Sequence, residues 1–580
     1  MSSSEEEILL LGPSIVDGSG TKPAYIANVL IKNGHIAQIS NQDIPTSPNT
    51  RIIDCQKGKF SLCPGFIDMH AHSDLSLLHT PDHLAKITQG VTTEVIGQDG
   101  IGYAPVDDDD DDGGGGLARI RKQIRGWNGD LPDAEAFTWR SVKQYLDVMD
   151  SNGGRATNVA FLVPQGNLRI LVKGWDSSPA TSEELAQMQE ILRRGFEEGA
   201  VGMSSGLTYV PGMFASDQEI ATLCETVREF GGYYCPHTRS YGKGALQAYG
   251  EMIALAEKVG VRLHLTHATM NYEENAGRAQ ELLDLIDRAA AADGVEISLD
   301  TYPYLPGSTT LASTLPSWVG GAPDPASLLR DPATLEQIRR AAMVEGTDGC
   351  HGCTLHWSLL EIGGVQNAAL QERYVGKTIQ QIADEERKDA FDKYVEILLE
   401  DHFNSTILSH SGHEGNVRKI MRHARHTGGS DGILTSTKPH PRGWGTFPRY
   451  LGHYARDLPR GRERDLYHAS SSEVYNAVEP EAIFSGGLEE AVAHLTSRPA
   501  AVIRVQDRGL VKEGYKADLV LFDKEEIRDV ATFANPQQAA KGIRMVMVNG
   551  TIVVDEGEAL GVRAGQTIRG REEDGERVVR

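Results

Sequence analysis

Apolar and polar positions divide the 580-residue chain into three zones. In the first, short β-rich runs (Ile8–Leu11, Tyr25–Ile31, His35–Ile39) are separated by turn clusters such as Asp17-Gly18-Ser19-Gly20 and Lys32-Asn33-Gly34. An Asn-Gly pair between two such runs predicts a tight hairpin. The last zone has the same texture, with Ala517–Asp523 and Met545–Val554 reading as strands and Asn549-Gly550 splitting the latter. Two β-rich ends around a mixed middle predict one small β-sandwich domain built from both termini, residues 1–62 and 501–580.

In the middle zone, residues 63–500, apolar strand-like runs alternate with helical patterns. The runs are Thr92–Ile96, Asn158–Val163, Gly199–Met203, Tyr233–Pro236, Arg262–Thr266, Glu296–Leu299, Thr406–Ser409 and Thr427–Ser430. Helical periodicity covers Thr181–Glu198, Asp217–Phe230, Ala245–Val259 and Ala276–Asp293. This order predicts an α/β fold, a TIM-like (β/α)8 barrel. The stretch from Pro306 to Asp401 is too long for a βα loop and carries helical segments of its own, so it is expected to be an insertion near the barrel mouth, a candidate lid.

Composition narrows the class. A formal net charge of -24 speaks against nucleic acid and anionic membranes as partners, since phosphate binding needs a basic face. No stretch approaches the roughly 20 apolar residues that span a bilayer, and the N-terminus has no basic segment before an apolar one; a cytoplasmic location is the expectation. The six cysteines form no regular framework and read as free thiols. Cys350-His351-Gly352-Cys353 lacks a second pair at zinc-finger spacing and is expected to be a surface loop. The run Asp107–Asp112, followed by Gly113–Gly116, is expected to be a solvated loop.

Candidate chemistry centres on Cys63–Asp74, where an apolar run ends in His70-Ala71-His72. Alternation along a strand sends both imidazoles to one face, a chelating pair. Barrel enzymes carry their catalytic residues at strand C-terminal ends. Reading the polar residue that closes each expected strand gives Asp99, His237, His267 and Asp431, all metal-capable. Imidazole and carboxylate ligands suit zinc, with iron or manganese as competitors. A metal so held activates water and polarises a carbonyl, and amide hydrolysis is the natural use. The proton of the water needs a carboxylate within reach, and Asp431 is the candidate base.

With these residues in view, the chain resembles the amidohydrolase superfamily through Pro64-Gly65-Phe66-Ile67-Asp68-Met69-His70-Ala71-His72 and the closing Ala517–Asp523. Within it, the chain is similar to the D-aminoacylase (N-acyl-D-amino-acid deacylase) family through Gly202–Pro211, Asp300-Thr301-Tyr302-Pro303-Tyr304, Ser430-Asp431-Gly432 and Pro439–Arg449. The resemblance covers nearly the whole chain. It implies hydrolysis of N-acyl-D-amino acids by one or two zinc ions, with Mn²⁺, Co²⁺ or Fe²⁺ as alternatives. It also implies a principal metal site at Asp99, His237 and His267, and a weaker one at His70, His72 and Asp431. Arg442 would grip the substrate carboxylate in a bidentate pair, helped by Tyr209, Tyr302 and Ser308.

Two departures stand out. Asp99 occupies a position where the family usually has cysteine; a carboxylate is a harder ligand and can bridge two metals. Ala268-Thr269-Met270 after His267 lacks a lysine expected nearby. Two other readings stay open: a cyclic-amide hydrolase of hydantoinase or dihydroorotase type, for which a strand-end lysine is missing, and a metal-free scaffold protein. Oligomeric state is not legible.

Overall fold

The computed structural model describes residues 7–579 apart from 109–114, 128, 152, 292–294, 463–481 and 574–575. Its centre is a ring of eight parallel strands taken in chain order. They are β1 (Phe66–Asp68), β2 (Val91–Ile96), β3 (Asn158–Pro164), β4 (Gly202–Gly206), β5 (Tyr233–His237), β6 (Arg262–Leu265), β7 (Ile297–Thr301) and β8 (His426–Gly428). The seam between last and first strand is closed beyond their ends. Met69 N–H donates to Gly428 O at 3.2 Å, and Ala71–His72 pairs in parallel with Gly432–Ile433. Closure at the C-terminal rim therefore puts His70, His72 and Asp431 side by side, although some 360 residues separate them.

Both strand faces are covered, which is why the strands read as near-continuous apolar runs. On β3, Val159, Phe161 and Val163 join the large cluster that includes helix residues such as Leu192 and Phe196. Ala160 and Leu162, alternating with them, join Ile67, Val95, Tyr233 and Cys235 in a second cluster, together with Val502 and Ile503 of the helix Ser497–Ile503. Four helices between β3 and β7 (Ser182–Glu197, Asp217–Glu229, Ala245–Val259, Ala279–Ala291) match their expected spans closely. The first is fixed by a capping box in which Thr181 and Glu184 satisfy each other's backbone amides.

Strands from both termini build two further sheets. The smaller runs His35–Ser40, Asn28–Lys32, Glu7–Leu11, Arg51–Asp54 in spatial order. The larger runs Glu558–Ala559, Thr551–Asp555, Ile543–Val548, Leu519–Phe522, Ser61–Pro64, Ser14–Ile15, Tyr25–Ile26. Leu519, Leu521, Met545 and Met547 face the smaller sheet's Ile8, Leu10, Val29 and Ile31. The alternate residues Val520, Phe522, Val546 and Val548 pack with Phe66, Val91 and Phe447 on the other side. Both Asn-Gly hairpins form, with positive φ at each central pair: Asn33 and Gly34 at 52° and 75°, Asn549 and Gly550 at 49° and 82°.

The structure corrects three expectations. Thr406–Ser409 is a strand, but it pairs antiparallel with Gly307–Thr310 and Leu360–Gly364 rather than joining the barrel. Its apolar pattern fits either sheet, and only the partner strands separate them. The fourth barrel strand begins at Gly202 instead of Gly199, because Gly199 (φ 114°) still belongs to the turn after the preceding helix. Cys350 and Cys353 are buried in the core of the segment between β7 and β8, alongside Leu311, Trp357 and Tyr394, not in a surface loop. All six cysteines are free thiols. Asp107 and Asp108 are exposed, and Asp109–Asp112 lie outside the described residues. Among the described residues no helix is long and apolar enough to cross a membrane.

Under the barrel rim lies a buried charge network. Lys86 Nζ sits 2.5 Å from Asp68 Oδ2 and 3.5 Å from Glu94 Oε2, and His83 Nε2 is 2.7 Å from Glu94 Oε1. Ser73 and Thr157 also donate to Glu94, at 2.6 and 2.8 Å. Burial alone would raise the Glu94 carboxyl, but His83 and Lys86 hold it down at about 2. A carboxyl depressed in the folded state stabilises the fold above its unfolded value and loses that contribution as pH falls through the folded one. Glu94→Gln is therefore expected to cost about 3 kcal/mol at pH 7. It should also flatten the fall in stability between pH ~4.5 and ~2, read from urea unfolding as a function of pH.

Candidate metal centre

Each ligand-type side chain sits at the C-terminal end of a barrel strand or just beyond it. His70 and His72 follow β1, Asp99 follows β2, His237 closes β5, His267 follows β6 and Asp431 follows β8. All six are buried. Two groups form. His70, His72, Asp99 and Asp431 offer ligand atoms within 4.8 Å of one another, and so do Asp99, His237 and His267. Asp99 belongs to both. Its Oδ1 lies 3.6 Å from His70 Nε2 and 3.5 Å from His267 Nε2, and its Oδ2 lies 3.4 Å from His72 Nε2 and 3.6 Å from His237 Nδ1. Across the pocket, Asp431 Oδ1 is 3.3 Å from His72 Nε2, and His237 Nδ1 is 3.1 Å from His267 Nε2.

Backbone strain marks the same residues. Asp99, His267 and Asp431 have φ of 56°, 28° and 48°, in the left-handed region that side chains rarely occupy. Strain of this kind, about 1–3 kcal/mol per residue, persists only where neighbours over-determine it. Asp300, on β7, holds the His267 turn: its Oδ1 accepts from His267 N–H at 2.9 Å, and its carbonyl accepts from Ala268 N–H at 2.7 Å. Asp431 N–H donates to His70 O at 2.8 Å. Ser430 donates both N–H and Oγ–H to Asp68, at 2.8 and 2.6 Å, and so ties the last strand end to the first. Close approach leaves no room for a side chain at Gly206, where a Cβ would stand 2.1 Å from Asp99 O.

The electrostatics ask for cations. Burial penalises a charged His70, yet Asp99, Asp431 and Asp300 outweigh it and hold its pKa well above the imidazole range. Burial likewise opposes an ionised Asp431, but Arg442 and His70 pull it down to about 2. Asp99 is driven well below the carboxylate range, with His70 and His267 overriding its burial. The Oδ1 atom of Asp99 and the Nδ1 atoms of His70 and His72 are buried without hydrogen-bond partners among the described residues. Anionic carboxylates and imidazoles crowded at these distances fit a divalent metal, which would replace the protons otherwise needed.

Beside Asp431 lies Arg442, fully buried at the start of the helix Arg442–Arg449. Its Nη2 is 2.9 Å from Asp431 Oδ2, an ion-pair distance without hydrogen-bond alignment, and Nε, Nη1 and Nη2 all lack hydrogen-bond partners among the described residues. The guanidinium lies over the Tyr302 ring, 4.4 Å from its centroid. A single cavity is lined by Asp99, His237, His267 and Asp431, and also by Tyr209, Tyr302 and Ser308. Every site residue expected from the sequence thus lies in or beside one site.

Several neighbours were not expected. Trp127 packs edge-on to Tyr209 with ring centroids 4.4 Å apart, Asp300 holds the backbone of the candidate ligand His267, Lys86 donates to Asp68 behind the rim, and His351 lines the cavity from the segment between β7 and β8. Asp300 opens Asp300-Thr301-Tyr302-Pro303-Tyr304, and its position after a β-rich run was the available signal. Lys86 and His351 carry no sequence signal of their own.

A closed eight-stranded barrel with a rim of four histidines and two aspartates defines a (β/α)8 protein of metal-dependent hydrolase type. The amidohydrolase family model matches residues 52–554, and this chain belongs to the amidohydrolase family. It is 30% identical to the D-aminoacylase of Alcaligenes xylosoxydans xylosoxydans over 97% of each chain. The N-acyl-D-aspartate deacylase of the same organism is 29% identical, covering 97% of this chain and 95% of its own. Among solved structures, an N-acyl-D-glutamate deacylase from Bordetella bronchiseptica, in complex with zinc and a phosphonate mimic of the tetrahedral intermediate, has a TM-score of 0.77. It is 28% identical, with 98% of this chain and 100% of that one covered.

Proposed function

We propose that the protein is a metal-dependent hydrolase that cleaves the amide bond of N-acyl-D-amino acids to a carboxylate and a free D-amino acid. The observation that carries this reading is the Arg442 guanidinium, fully buried beside a metal-capable centre and at ion-pair distance from the candidate base Asp431. A buried guanidinium whose nitrogens lack hydrogen-bond partners among the described residues can receive a carboxylate through its N–H donors, next to the centre that would take the amide carbonyl. Relatives of near-equal length that deacylate D-amino acids support the same choice.

In this reading His70, His72, Asp99, His237, His267 and Asp431 hold one or two divalent ions, zinc first, with Mn²⁺, Co²⁺ or Fe²⁺ as alternatives. The metal, when bound, lowers the pKa of water and polarises the acyl carbonyl. The chain's own residues do the rest. Arg442 binds the α-carboxylate through its fork of N–H donors, with Tyr209, Tyr302 and Ser308 around it. Asp431, held anionic by Arg442, accepts the proton of the attacking water and passes it to the nitrogen as the C–N bond breaks; the bonding pair stays on nitrogen as its lone pair, and the amine leaves uncharged. Asp68 and Ser430 fix the backbone that aims it.

Chelator treatment should abolish hydrolysis of N-acetyl-D-methionine, and zinc, cobalt or manganese should restore it. Metal-free protein that keeps full turnover would rule out the metal's part in the reaction.

A further inference from the structure

We propose that Asp300 is a positioning residue shared by both metal-capable groups, orienting His70 in one and His267 in the other, and that His264 holds it in place. The inference rests on the metal reading above.

Strand pairing builds the arrangement. β6 and β7 run parallel with His264 opposite Ser298 and Leu265 opposite Leu299, and alternation turns Ser298 and Asp300 to the same face of β7. His264 and Asp300 are fully buried, where polar groups cost free energy unless they are paired. They are paired in series. Ser298 Oγ lies 2.8 Å from His264 Nδ1, and His264 Nε2 lies 3.0 Å from Asp300 Oδ2. With the serine hydroxyl donating to Nδ1, the neutral imidazole keeps its proton on Nε2 and gives it to the carboxylate.

The two oxygens of Asp300 then reach one candidate ligand of each group. Oδ1 accepts from His267 N–H at 2.9 Å and so fixes the strained turn (φ 28°) that aims this ring. Oδ2 faces His70 Nδ1 at 3.8 Å, and that Nδ1 has no hydrogen-bond partner among the described residues. The other nitrogen of His70, Nε2, is turned to the centre, 3.6 Å from Asp99 Oδ1 and 3.7 Å from Asp431 Oδ1. An imidazole that ligates through Nε2 carries its proton on Nδ1 and needs an acceptor there, which fixes both tautomer and ring angle. Asp300 Oδ2 stands on that side. The chain leaving β8 passes close to both residues: a Cβ at Gly429 would be 2.8 Å from Asp300 Oδ1 and 2.9 Å from His70 Cβ. One carboxylate thus governs the angle of His70 and the turn of His267.

The test is zinc binding itself. Metal-free wild type, Asp300→Ala, His264→Leu and His264→Gln are titrated with zinc in competition with a chromophoric chelator, and the cobalt-loaded proteins are compared by visible absorption. Asp300→Ala is expected to weaken zinc binding about 10- to 100-fold, the usual cost of removing an outer partner of a ligating histidine, and to alter the cobalt spectrum. His264→Leu leaves Asp300 and every candidate ligand in place and should lose affinity in the same direction. His264→Gln, whose amide can donate to Asp300, should recover most of that loss. Wild-type affinity and an unaltered cobalt spectrum in folded Asp300→Ala, or in His264→Leu if the alanine variant does not fold, would overturn the inference, even where the metal-free variant melts at a lower temperature. A wild-type protein that binds neither zinc nor cobalt would remove the metal reading itself.

Discussion

Asp431→Asn should lose turnover by a factor of about 10³ while keeping its fold, because general-base catalysis contributes roughly 10²–10⁴. Asparagine tolerates the left-handed backbone at this position (φ 48°) and keeps the amide that donates to His70 O. What it lacks is the anion. The group of Asp99, His237 and His267 does not include Asp431, so metal bound there should persist. Elemental analysis of the variant beside its kcat separates the two effects. Intact metal with near-normal turnover would place the base elsewhere, and loss of all metal would make Asp431 chiefly a ligand.

Arg442→Gln should be almost as damaging, but through binding. Truncating one partner of a buried charged contact costs about 2–5 kcal/mol, or roughly 30- to several-thousand-fold in kcat/KM. The loss should fall mostly on KM. Arg442→Lys should not restore it, since an ammonium cannot reproduce the planar fork. An N-acetyl amine lacking the carboxylate supplies the control: wild type and variant should hydrolyse it at similar, low efficiency. If Arg442→Gln were equally damaging on that substrate, the guanidinium would serve mainly to hold Asp431, from which it is separated by 2.9 Å.

Much of this site could be read from the chain. The metal-capable residues follow apolar strand patterns, and a barrel brings all strand ends to one rim, so the His-x-His pattern pointed to His70 and His72 and the polar residue after each run to Asp99, His237, His267 and Asp431, which the fold gathers at that rim. Hairpins at Asn33-Gly34 and Asn549-Gly550 were legible because their turn chemistry is local. Thr406–Ser409 was misplaced because a strand's apolar pattern does not name its partners. His351 was passed over because its Cys350-His351-Gly352-Cys353 setting reads as a loop, and only the folding of that segment onto the barrel brings its ring to the cavity. The backing of Asp431 by Lys86, Asp68 and Ser430 likewise depends on the closing seam, which joins positions far apart in the chain.

Asp99 is the feature that most distinguishes this candidate centre, since one carboxylate belongs to both metal-capable groups. A bidentate anion can serve two ions at once, and hard oxygen ligands favour harder metals than a thiolate would. The range of metals that restores activity is therefore expected to be broad.

The most direct test of the deacylase reading is a side-by-side assay of the metal-loaded protein on N-acetyl-D-methionine, N-acetyl-L-methionine and a hydantoin. The account predicts release of free D-methionine, with the L enantiomer and the hydantoin left essentially intact. Turnover confined to the hydantoin, or equal turnover of both enantiomers, would contradict it.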